Sequence, residues 1–149
     1  MNNLFFYILA IIAGIMLSTQ AGINAQLRTV VGNPVMAALV SFLVGSFALL
    51  LYVLLFNKPG TGLVQSLTDM SLYKWTGGLI GALYVTGVII VAPRIGATNT
   101  AGLIVAGQIL FALFLDHYGL LGFAQHSVNY MRAAGAILLI AGVFMILRN

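Results

Sequence analysis

The chain has 149 residues, of which 62% are hydrophobic and 5% charged, and its mean hydropathy is +1.12. Soluble domains carry roughly 25% charged residues, so this composition excludes a water-exposed globular surface and places the chain in lipid. The net charge of +4 does not point to nucleic acid, because Arg28, Lys58, Lys74, Arg94, Arg132 and Arg148 are single residues at the ends of apolar segments.

A membrane-crossing helix needs about 20 apolar residues, and the chain divides into five such segments with little left over. The reading is an all-α integral membrane protein, one five-helix domain over residues 1–149 with spans at about 4–27, 35–56, 72–92, 97–115 and 130–147. The first segment lacks a basic n-region, so it is expected to be retained as a helix. It turns polar at Ser18, Thr19, Gln20, Asn24 and Gln26 and closes at Arg28.

Asn33 and Pro34 read as an N-cap and a first-turn proline, whose missing N–H costs nothing there. After the second span, the stretch from Asn57 to Ser71 holds Pro59-Gly60 and then Leu63, Val64, Leu67 and Met70 at helical spacing, which suits a short amphipathic turn in the interface. The third span is expected to stop at Ala92, because Pro93 cannot continue the hydrogen-bond ladder. Asp116 to Asn129 reads as a loop whose Leu120, Leu121 and Phe123 are apolar enough to dip among lipid headgroups.

Small residues recur every fourth position at Ala10, Gly14, Ser18 and Gly22, at Ser41 and Gly45, and at Gly77 and Gly81. Ala134, Gly135, Ala141 and Gly142 give the fifth span a similar face. Such faces let membrane helices approach closely.

Five crossings put Lys58, Lys74 and Arg132 on the side of the N-terminus and Arg28, Arg94 and Arg148 on the other. Orientation follows the excess of Lys and Arg in cytoplasmic loops, so neither orientation is preferred. Tyr7, Tyr52, Tyr73, Trp75, Tyr118 and Tyr130 all fall near the N-terminal side, whereas membrane proteins normally have aromatic belts at both interfaces. An antiparallel homodimer accounts for both patterns, since inverting one copy puts a belt on each surface. A partner or another factor that fixes one orientation is the alternative.

The pieces Asn24-Ala25-Gln26-Leu27, Gly32-Asn33-Pro34, Ser41-Phe42 with Gly45, and Trp75-Thr76-Gly77-Gly78 with Gly81-Ala82 occur in order along the chain. Pro93-Arg94-Ile95-Gly96-Ala97, Gly107-Gln108, Asp116-His117 with Gly119 and Gly122, and Arg132 with Gly135 follow. In these pieces and their spacing the chain resembles, over nearly its whole length, the YdcZ-like family of small five-helix proteins of the drug/metabolite transporter superfamily. The resemblance implies a multi-pass protein of the bacterial inner membrane, often paired with an inverted copy into a ten-helix assembly, with transport as its role.

No Asp, Glu, Lys or Arg lies in the middle of a span, so proton-for-cation exchange through a buried carboxylate is not expected. Gln20 and Asn24 on the first span, Asn99 with Thr100 at the start of the fourth and Gln108 within it, and Tyr84 on the third are the main polar groups left inside. An unsatisfied amide in hydrocarbon costs several kcal/mol, so each must face protein, water or a ligand. They are therefore candidates for binding a small-molecule substrate, against the alternative that the amides glue helices together and that Tyr84 is core packing.

Arg94 and Asp116 end helices on opposite sides, so inversion of a partner would bring them to one surface and allow intersubunit pairing. The alternatives for Asp116 are a solvated helix end or a local bond to Arg132. Gly77, Gly81 and Gly135 are candidates for close contact within or between subunits. There is no cysteine, His117 and His126 lack metal-ligand spacing, and the acids Asp69 and Asp116 lie at water-facing boundaries. No enzyme, metal or cofactor is expected.

The expected partners are thus a second copy of the chain, membrane lipid and a small apolar or amphipathic molecule. A non-transporting assembly or lipid-binding subunit is the competing reading.

Overall fold

A computed structural model describes residues 3–56 and 63–148. Among them there is no strand. Six α-helices follow one another: α1 (Asn3–Val31), α2 (Pro34–Phe56), α3 (Leu63–Thr68), α4 (Thr76–Ile95), α5 (Ala97–Tyr118) and α6 (Tyr130–Leu147). All except α3 belong to the five segments long and apolar enough to cross a membrane, the third of which runs from Leu72 to Ile95. Bulky side chains such as Leu50, Leu55, Leu83 and Phe47 are largely exposed around these helices, as suits a surface that meets acyl chains.

The helix ends show why the sequence folds as it does. Helix α1 runs on past Arg28, whose positive charge suits the negative end of the helix dipole. It stops at Gly32, which sits at φ 73° and donates its N–H to Arg28 O at 2.9 Å. Asn33 then caps α2 as expected: its Oδ1 accepts from the amides of Val35 at 2.7 Å and Met36 at 3.3 Å. Asn33→Ala should lower stability in detergent by about 1 kcal/mol, the usual loss for an N-cap, measurable as a drop in the thermal unfolding midpoint.

The stretch after residue 62 forms the short helix α3, with Gln65 Nε2 donating to Asp69 Oδ2 at 3.3 Å. The expected Pro59-Gly60 turn lies outside the described residues. A 3₁₀ turn over Leu72–Trp75 leads into α4.

The expected boundary at Ala92 is corrected. Helix α4 does not stop at Ala92 but continues through Pro93 to Ile95. Proline lacks an N–H, so the carbonyl four residues back, that of Ile89, loses its helical partner. Arg28 Nη1 donates to Ile89 O at 3.2 Å instead. The substitute bond satisfies a carbonyl on a fully buried residue and lets the helix carry its proline.

Helix α5 likewise extends beyond its expected end to Tyr118, because Gly119 adopts φ 62° and donates its N–H to Asp116 O and Leu115 O. Asp116 therefore lies in the last turn of a helix and not in a loop.

The chain divides into two compact units, Met1–Pro93 and Arg94–Asn149. In the first, Ala37 and Ala38 of α2 pack with Val85 and Ile89 of α4, and Leu27 and Val31 of α1 and Tyr84 of α4 close around them. Gly81 of α4 faces Phe42 of α2, where an added Cβ would stand 3.7 Å from the ring.

In the second unit, Gly102 of α5 faces Val143 of α6 in the same way, at 3.5 Å. Asn129 caps α6 by accepting from the amide of Arg132 at 2.9 Å.

Candidate functional site

Five long helices hold no charge near their middles, so the polar groups at that depth are amides and hydroxyls. Gln20 is near the middle of α1, and Asn24 follows one turn later on the same face. Helix α2 runs back along α1 and offers small residues at that depth. Gln20, Ser41, Phe42, Gly45, Ser46 and Leu49 line an open groove of about 220 Å³. Gly45 leaves the space, since an added Cβ there meets nothing within 4 Å, while Ser41 and Ser46 place hydroxyls along the wall. The groove can hold a small apolar group and orient one or two hydrogen-bonding atoms.

Asn24 is 3% exposed, and its side chain makes no hydrogen bond among the described residues. Gln20 is exposed and equally without a partner among them. Tyr84, the fifth residue singled out from sequence within this depth, lies against the Ala37, Ala38, Val85 and Ile89 cluster of the same unit and not in the groove.

Asn99 and Gln108 belong to the second unit. Asn99 is half-buried in the first turn of α5. Gln108 lies near the middle of α5, exposed and without a hydrogen-bond partner among the described residues. The structure thus brings Gln20, Asn24 and Tyr84 into one unit and places Asn99 and Gln108 in the other.

Sequence reading missed Phe42, Ser46 and Leu49 as lining residues. A signal existed for the serine: in an antiparallel pair joined at Gly32-Asn33, the depth of Gln20 corresponds to the neighbourhood of Gly45 and Ser46. Gly77 and Gly135 are exposed, and a Cβ at either meets nothing within 4 Å.

At the end of α5 the polar groups are tied together. Arg132 Nη2 donates to Asp116 Oδ2 at 2.8 Å, and Nη1 donates to His126 O at 2.9 Å. His117 Nδ1 accepts from the amide of Val128 at 3.2 Å, and His117 O accepts from Gln125 Nε2 at 3.0 Å. Asp116 therefore has the local partner among its alternatives. Arg94 is exposed, and its side chain makes no hydrogen bond or ion pair among the described residues. No group of three or more His, Asp or Glu side chains among the described residues could hold a metal ion.

These features define a multi-pass α-helical membrane protein whose polar groups near the middles of the described spans are uncharged. The family model described as "Putative inner membrane exporter, YdcZ" matches residues 5–145, and the chain belongs to that family. The inner membrane protein YdcZ of Escherichia coli (strain K12) is 28% identical over 154 residues, an alignment covering 100% of this chain and 99% of the relative. No solved structure matches. The family is described as an exporter and not as an enzyme, and membership together with five apolar helices makes this a multi-pass protein of the inner membrane.

Proposed function

We propose that the chain is a transporter of the drug/metabolite type that works as an antiparallel homodimer on small apolar or amphipathic molecules. The observation that carries this reading is the pair of mid-span amides, Gln20 and Gln108, both exposed and both without a hydrogen-bond partner among the described residues. Left in hydrocarbon each would lose several kcal/mol, so each calls for a hydrogen-bonding partner. A second copy and a bound molecule supply what the amides need.

Two further features support the inverted arrangement. Tyr7, Tyr52, Tyr73, Trp75, Tyr118 and Tyr130 are all exposed, at helix ends that five successive crossings put on one side. The open faces at Gly77 and Gly135 suit close contact with another helix.

The groove on the first unit is smaller than the roughly 300–1,000 Å³ of pockets that take drug-sized ligands. That favours the second reading, a non-transporting assembly in which the amides only join helices. Reconstitution separates the two. Purified protein in liposomes should move an amphipathic dye or solute down its gradient faster than protein-free liposomes, and absence of flux across a broad solute panel discards the transporter.

Orientation is tested by fusing a cytoplasm-only and a periplasm-only reporter to Asn149. Comparable signal from both is expected, and signal from one alone rules out dual topology.

A further inference from the structure

Gln20, Asn24 and Arg28 are spaced four residues apart on α1 and therefore form one stripe along it. The last of them reaches across to α4. Its guanidinium donates to Ile89 O at 3.2 Å, the carbonyl whose helical donor would have been the amide of residue 93. That position is Pro93, which has no N–H to give. Arg28 is half-buried and Ile89 is fully buried, so water is a poor substitute there.

We infer that Arg28 is a positioning residue: it supplies the hydrogen bond that Pro93 withdraws, and this strap between α1 and α4 sets the face on which α1 presents Gln20 and Asn24. The inference rests on the proposed site, but the geometry can be tested apart from transport. A helix packed by apolar side chains in lipid is weakly fixed in rotation, because tails and core are equally apolar. A directional bond at one end of the stripe removes that freedom and keeps Asn24 turned inward.

The chain lacks cysteine, so Asn24→Cys provides a single thiol. Labelling of the full-length protein in detergent by a water-soluble maleimide then reports whether position 24 is buried. Labelling should be slow with Arg28 in place and rise on the order of ten-fold with Arg28→Ala, the scale of one lost charge-assisted bond. Arg28→Lys, which keeps a charged donor, should recover most of the protection.

The decisive variant is Pro93→Ala, which returns an N–H to Ile89 O. In that background Arg28→Ala should change labelling little. An Arg28→Ala effect of equal size in both backgrounds overturns the inference, as does no effect in either. If Arg28→Ala alone does not fold, folding of the double variant supports the strap and failure of both refutes it. Labelling that follows this pattern, together with no flux from the unsubstituted protein in liposomes, leaves the strap standing and removes the transporter reading.

Discussion

Gln20→Leu is expected to abolish flux, by at least ten-fold, while leaving the protein folded and paired. The amide lies near mid-span on the wall of the α1–α2 groove and has no partner among the described residues. Leucine has nearly the same volume and brings no unsatisfied group into hydrocarbon, so the isolated chain should be no less stable and could gain stability. Loss of ligand orientation is then the main consequence.

The same outcome is expected of Asn24→Leu in the same unit and, separately, of Gln108→Leu in the other unit if each amide faces a ligand. The opposite pattern, in which cross-linked dimer falls first and flux declines only with it, would show that the amides join helices. Flux in liposomes and chemical cross-linking on the same preparations decide between them.

Arg132→Ala should loosen the connection between α5 and α6 by about 1–2 kcal/mol, a figure reduced from that of fully buried charged bonds because both partners are partly exposed. The guanidinium bonds both Asp116 Oδ2 and His126 O. Its loss leaves Asp116 as a lone negative charge in the last turn of α5, where the helix dipole opposes it.

The segment from Gly119 to Asn129 has little regular structure and is held by such side-chain bonds. Hydrogen exchange at the amides of His126 and Val128, which donate to Asp116 O at 2.7 Å and His117 Nδ1 at 3.2 Å, should accelerate by about ten-fold. Asp116→Asn keeps an acceptor and should have a smaller effect. Unchanged exchange at both amides after Arg132→Ala would show that the loop is held without the arginine.

The order and number of crossings were legible in the amino-acid sequence because they depend on local properties. Twenty apolar residues make a span whatever their neighbours, and Asn33 next to Pro34 starts a helix through bonds to residues two and three positions away. The absence of charge from the middles of the spans was equally a matter of reading composition along the chain.

Which amide is buried and which exposed was decided only in three dimensions. In water a polar residue marks the outer face of a helix, but in lipid both faces are apolar and the pattern carries no such mark. Gln20 and Asn24 look alike in sequence, yet one lines an open groove and the other is 3% exposed. Pro93 reads as a helix terminator, and it fails to be one because a donor 61 residues away takes over the carbonyl it strands. Asp116 had two candidate partners, Arg94 of another copy and Arg132 of its own, and the fold brings Arg132 to it across the α5–α6 connection. In each case the deciding partner is distant along the chain, so its effect is a property of packing and not of local pattern.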